Sequence, residues 1–193
     1  MNTSSPCSRS PTRGICRAST AAAVLVATFL IPPPPSAAQT NPAVAATAPT
    51  VLYLVRHAER AEDGTDDPPI SEAGEARARL VWSMLADAGI TRIHSTDYRR
   101  TRATAAPLAE AIGATVELYD GGDLEGLAAR LRAAGGRHLV VGHSNTTPAL
   151  VSALGGDPGS PIAASEYDRL YIVTLAGEAV STVLIRFGVP APG

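Results

Sequence analysis

The chain's apolar positions fall into short runs separated by stretches rich in Gly, Pro and acidic residues. In V51-L-Y-L-V55, Val51, Leu52, Leu54 and Val55 occupy both faces of an extended segment, the pattern of an inner strand covered on two sides. Beyond the Asp-, Gly- and Pro-rich stretch from Glu62 to Pro69, Leu80, Val81, Met84 and Leu85 recur at helical spacing. They predict a helix from about Ser71 to Ala88, stopped by Gly89, with Trp82 in the core. Ile90 to His94 reads as a short strand, and Tyr98 to Ala111 as a helix interrupted or restarted near Pro107. Thr115 to Leu118 reads as a strand, and Leu124 to Ala133 as a helix ended by Gly135-Gly136. His138 to Val141 is a further buried strand, and Thr147 to Leu154 a short helix. Leu170 to Leu175 and Val180 to Phe187, joined through Ala176-Gly177-Glu178, close the chain as a hairpin. Strands and helices therefore alternate, which predicts a three-layer α/β/α sandwich with a mostly parallel central sheet.

The first fifty residues do not share this pattern. Arg9, Arg13 and Arg17 precede an uncharged stretch, A18-S-T-A-A-A-V-L-V-A-T-F-L-I31, and P-P-P-P-S-A-A-Q follows. A basic start, a short apolar middle and small residues at the end read as a secretory signal peptide over 1–38, cleaved after Ala38. Fourteen residues are few for a membrane-spanning anchor. Residues 39–50, made largely of Ala, Thr and Pro, read as a disordered linker, so the folded domain is 51–193. The expected location is secreted or periplasmic, with no membrane attachment after cleavage.

Both cysteines, Cys7 and Cys16, lie in the leader, which leaves the domain without a disulfide, a thiol nucleophile or a thiolate metal site. All eighteen acids and thirteen of the sixteen basic residues lie beyond residue 38, a net charge of −5 with His neutral. That balance argues against nucleic acid as a partner. Every basic residue is arginine, the better fork for phosphate oxygens.

The polar clusters sit where strands are predicted to end. R56-H57-A-E59 follows the first strand. S95-T-D-Y-R99-R100-T-R-A-T104-A105 follows the second, and G142-H143-S144-N145 opens the helix after the last buried strand. In open α/β folds ligand sites lie beyond the carboxyl ends of strands, so two histidines and at least two arginines are expected to share a cleft. Guanidiniums bind a phosphoryl group through paired hydrogen bonds, and free amides at the start of the helix after His143 add a further anion donor. A neutral imidazole held beside fixed positive charge keeps its lone pair for attack on phosphorus. No HxH, HExxH or three-histidine pattern occurs, and neither a metal nor a cofactor is required.

V55-R-H-A-E59, R100-T-R-A-T104-A105 and G142-H-S144, together with D67-P-P-I-S-E-A-G74 leading into the first helix, resemble in order the signatures of the histidine phosphatase superfamily, also called phosphoglycerate mutase-like. The resemblance implies that fold and a phosphohistidine mechanism. His57 would be the nucleophile, Arg56 and Arg100 the phosphoryl-binding arginines, with Arg99 the neighbour one register away, and His143 the second histidine of the phosphate pocket. Ser144 and Glu59 would join the phosphate-binding set, Ser144 also being explained as a helix cap and Glu59 as a turn contact. The proton donor to the leaving group would come from the loop after the third strand, Asp120 first and Asp123 second.

The expected activity is metal-independent hydrolysis of phosphomonoesters or phosphoramidates on a small phosphorylated substrate. Phosphoglycerate mutase-type transfer and a catalytically silent phospho-ligand-binding protein are the alternatives. His94 and His138 are expected in packing or at the surface, and Asp63, Asp66 and Asp67 in a solvated loop. The domain has no room for a large inserted cap over the pocket, so varied leaving groups are expected. Oligomeric state stays open.

Overall fold

The computed structural model describes residues 48–189; the leader and most of the linker expected over 1–50 lie outside the described residues. The order of elements is β1 (Thr50–Arg56), α1 (Glu72–Leu85), β2 (Arg92–Ser95), α2 (Arg99–Ile112), β3 (Val116–Leu118), α3 (Leu124–Ala134), β4 (Arg137–Gly142), α4 (Thr146–Ala153), β5 (Arg169–Ala176) and β6 (Ala179–Arg186). The six strands form one sheet in the order β3-β2-β4-β1-β5-β6. The first four of these are parallel, and β5 and β6 continue the sheet antiparallel, as the expected hairpin.

Alternation along the strands divides the apolar residues between two cores. Leu52, Leu54 and Val140 face Leu127 and Leu131 of α3 and Leu150, Val151 and Leu154 of α4. Val55, Leu139, Val141 and Ile93 face Val81 and Leu85 of α1 and Ala105 and Leu108 of α2. The three layers predicted from the alternation of elements are thus present, with β1 and β4 covered on both sides.

Two local expectations are corrected. Helix α2 runs unbroken through Pro107, because Thr101, Thr104, Ala105, Leu108 and Ala109 are buried on both sides of it and hold the helix against the loss of one backbone hydrogen bond. Trp82 is not core but 39% exposed. The buried face of α1 consists of Gly74, Ala78, Val81 and Leu85, and positions 82 and 84 fall off that stripe.

Glycine at 74 is a steric requirement. Ser71 caps α1 by accepting from Gly74 N–H at 3.2 Å, and Ser71 N–H donates to Glu59 O at 2.8 Å. These bonds draw the helix start onto the segment after β1, where a Cβ at position 74 would stand 2.3 Å from Glu59 O. Backbone cannot yield there as a flexible side chain could. Gly74→Ala is therefore expected to destabilise the domain by about 1–3 kcal/mol, the usual range for overpacking, read as a lower midpoint in urea denaturation. Gly113→Ala sets the contrast: no atom stands near its Cβ position, so its cost comes only from a φ of 66°.

Candidate active site

Parallel pairing of β1 with β4 is in register, with Arg56 opposite Gly142, and His57 N–H continues the ladder to Gly142 O at 2.9 Å. The residues that follow the two strands, His57 and His143, are consequently neighbours. Their ring centroids lie 5.3 Å apart at 66°. They line a cavity of about 770 Å³ together with Arg56, Arg100, Asp120 and Ser144.

The histidine at 57 has one assignable tautomer. Its Nδ1 lies 2.7 Å from Ala58 O, which can only accept, so Nδ1 carries the hydrogen and Nε2 the lone pair. Burial first, then Arg56, His143 and Arg100, push its pKa down to about 3. The ring is neutral at ordinary pH.

Proton accounting settles His143 as well. Thr101 Oγ1 lies 2.9 Å from the carbonyls of both Thr96 and Tyr98 and must give them its hydrogen. It therefore accepts from Thr96 Oγ1 at 3.0 Å. Thr96 is left to accept from His143 Nε2–H at 2.9 Å. Burial, with Arg100 and Arg56, lowers His143 to about 4.

Arg56 is held by its own surroundings. Its Nη1 donates to Ala163 O at 2.9 Å and Glu166 O at 2.7 Å, and its Cζ lies 4.0 Å from the Tyr167 ring centre. Burial moves the guanidinium below the ordinary arginine value, and among the described residues its buried Nε finds no hydrogen-bond partner. The carbonyls that hold it belong to a segment tied down by charge. Glu166 takes two bonds from buried Arg169 and one from Arg186, which also reaches Asp168 at 2.8 Å. Arg169's hydrogen bonds lead in keeping the Glu166 carboxyl at about 2.

Arg100 lines the cavity, whereas Arg99 is exposed and does not; its backbone N–H is capped by Asp67. Asp67 also pairs with Arg100 Nη1 at 3.3 Å, so this carboxylate is not simply part of a solvated loop. Arg100 Cζ lies 4.3 Å from the Tyr98 ring centre. Thr104 joins the two signatures: Ala58 N–H donates to its Oγ1 at 2.9 Å, and the hydroxyl donates back to Arg100 O at 2.7 Å.

Gly142 allows these pieces to close up, because a Cβ there would lie within 2.9 Å of the hydroxyls of Thr146, Thr147 and Tyr119. Ser144 lines the cavity but does not cap α4. The hydroxyl that accepts from His143 N–H is that of Thr146, at 2.9 Å, and Asn145 is the cap residue.

Glu59 does not line the cavity. Its carboxylate is bound by Arg77 through Nε and Nη2 at 2.7–2.9 Å, and a carboxylate so paired is drawn away from an anion pocket. Asp120 lines the cavity, with Oδ1 accepting from Gly122 N–H at 2.8 Å. Asp123 instead caps α3 through Gly126 N–H and pairs with Arg130. His94 and His138 are buried against each other, Nε2 to Nδ1 at 2.9 Å, away from the cavity. No group of three or more metal-binding side chains occurs among the described residues.

Sequence reasoning missed Thr96, Tyr98, Tyr167, Thr146 and the cavity-lining Arg60. For Thr104 a signal existed, since a hydroxyl four residues after an arginine on a helix can bond back to that residue's carbonyl. Tyr167 lies more than a hundred residues from Arg56, and nothing local announces it.

Residues 52–128 match the model of the histidine phosphatase superfamily, branch 1. That stretch is similar to histidine phosphatase superfamily sequence, and the described fold is the phosphoglycerate mutase-like one. Among curated proteins, the chain is 42% identical over 71 residues to the Probable phosphoglycerate mutase GpmB of Serratia proteamaculans, covering 34% of this chain and 33% of that protein. It is 41% identical over 73 residues to the protein of the same name in Escherichia fergusonii, covering 35% and 34%. The match spans about a third of the length of these relatives.

Among solved structures, a mycobacterial glucosyl-3-phosphoglycerate phosphatase superposes with a TM-score of 0.57 at 16% identity, over 72% of this chain and 98% of that one. The protein histidine phosphatase SixA complexed with tungstate superposes with a TM-score of 0.56 at 20% identity, over 70% and 94%.

The depressed imidazoles make the fold acid-sensitive. Unfolded, they titrate near the ordinary 6.5; folded, His57 takes a proton only near 3, and His94 and His143 only near 4. As pH falls below about 6.5 the unfolded chain gains protons that the folded chain refuses, so stability is expected to decline steadily down to about pH 3. Melting temperatures between pH 7 and pH 4 check the slope, and imidazole ¹⁵N shifts of His57 still neutral at pH 5 check its source.

Proposed function

We propose that this chain is an exported, metal-independent phosphatase that hydrolyses phosphomonoesters or phosphoramidates through a phosphohistidine on His57. The observation that carries the reading is the Nδ1–H bond from His57 to Ala58 O, which leaves an unprotonated Nε2 in a cavity lined by the guanidiniums of Arg56, Arg60 and Arg100. Positive charge for the phosphoryl oxygens comes from Arg56 and Arg100, the unpartnered Nε of Arg56 included. His143 competes as a further donor, its Nε2–H passing from Thr96 to a phosphoryl oxygen.

In the first step the Nε2 lone pair forms a bond to phosphorus as the bond to the leaving oxygen breaks. The leaving oxygen takes its proton from Asp120 when that carboxyl is protonated. In the second step water attacks the phosphohistidine, its proton passes to the Asp120 carboxylate, and inorganic phosphate leaves with Nε2 restored. No step calls for a metal.

The names of the matching curated proteins favour a second reading, transfer of a phosphoryl group between positions of one small molecule. The two differ in product, since a mutase isomerises a phosphoglycerate and a phosphatase releases phosphate.

The test is trapping. Brief incubation with a labelled phosphodonor should give an acid-labile, base-stable adduct mapped to His57, and His57→Ala should reduce phosphate release to background. Label on Ser144, or on no residue, would end the proposal. Asp120→Asn is expected to slow an alkyl phosphate by about 10²-fold or more while changing an aryl phosphate little, because the better leaving group needs no proton. Steady-state rates on the two esters read that difference directly.

A further inference from the structure

A second hollow adjoins the phosphoryl cavity, and the two share Ser144 and Asn145. Its volume is about 460 Å³. One wall is the exposed side of α4, with Pro148, Ala149 and Ser152; the other is the segment of Pro158, Pro161 and Ile162. Among the described residues no charged side chain lines it, whereas the neighbouring cavity is lined by three arginines and two aspartates.

The far wall is built before any ligand arrives. Fully buried Tyr171 donates its hydroxyl to Pro158 O at 2.9 Å. Arg169, also buried, donates to Ser160 O at 2.6 Å, Ser160 Oγ at 3.1 Å and Pro161 O at 3.2 Å. The same arginine grips Glu166, whose carbonyl holds Arg56. Groove wall and phosphoryl-binding arginine are therefore fixed by one buried group.

We propose that this groove is the leaving-group subsite and that it selects phosphate esters whose alcohol is uncharged and largely apolar, with a ring of modest size against the two prolines. The inference rests on the phosphoryl-binding reading of the adjoining cavity. A charged leaving group entering the groove would lose water and find no partner, whereas an apolar one loses little and covers apolar wall. A volume of this order suits a ring-sized group, and the shared Ser144 and Asn145 make a substrate that spans both compartments continuous.

Non-hydrolysable phosphonates separate this inference from the question of catalysis. The full-length chain would be titrated calorimetrically with ethylphosphonate and with 2-phenylethylphosphonate. The phenyl compound is expected to bind about tenfold tighter or more, the scale of discrimination that an apolar pocket supplies. Ala149→Gln, a neutral change at an exposed helix position, should abolish that preference and leave ethylphosphonate affinity unchanged. Ser152→Gln provides a second obstruction should the first variant fold poorly. Equal affinity for the two phosphonates in the wild-type chain, binding of neither, or equal losses in the variants would overturn the subsite. A retained preference in a chain that hydrolyses no phosphate ester would uphold the subsite while refuting the phosphatase reading.

Discussion

The site depends on the register between β1 and β4. Placing Arg56 opposite Gly142 makes the next residue of each strand a histidine, and the bond from His57 N–H to Gly142 O carries the ladder one step past the strand end. Slipping that register by one residue would send one ring to the other face of the sheet. The slip is opposed by burial on both faces, because Leu52 and Leu54 belong to one core and Val55 to the other. Hydrophobic packing thereby sets a distance between two polar rings that do not otherwise attract each other.

A second constraint is the keeping of neutral imidazoles beside guanidiniums. Burial and the arginines act in the same direction on His57 and His143, so both rings stay neutral until the pH falls to about 3 and about 4. Hydrogen bonds to Ala58 O and Thr96 Oγ1 then determine which nitrogen of each ring carries the hydrogen. The arginines have opposite styles of anchorage. Arg56 is held by carbonyls and an aromatic face, which leaves its charge uncompensated, while Arg100 shares its charge with Asp67. An incoming anion would meet a fixed fork on one side and a pairing that it must displace on the other.

The exposed ion pairs Arg102–Asp97 and Arg130–Asp123 matter much less, since surface pairs contribute about 0–1 kcal/mol. The cluster of buried Glu166, Asp168 and Arg169 with half-exposed Arg186 is different in kind. Removing Glu166 would leave buried Arg169 without its carboxylate partner, and the segment that carries Ala163, Glu166 and Tyr167 toward Arg56 would lose its support.

Periodicity and punctuation in the sequence were enough to read the order of elements, the two covered faces of β1, the hairpin at the end, the strand-end placement of Arg56, His57 and His143 and the placement of Arg100 at the start of the helix after β2. These are local properties: the repeat of apolar positions and the few residues that tolerate a turn or a tight approach. The continuity of α2 through Pro107, the exposure of Trp82 and the withdrawal of Glu59 to Arg77 were not legible, because each depends on which partner lies across a gap in sequence. The same holds for Asp67 on Arg100, Tyr167 beneath Arg56 and Thr146 in place of Ser144 at the start of α4. Residue types and their spacing determined which groups were available for chemistry; only the folding of distant segments onto one another decided which of them face the cavity and which are already occupied by an opposite charge.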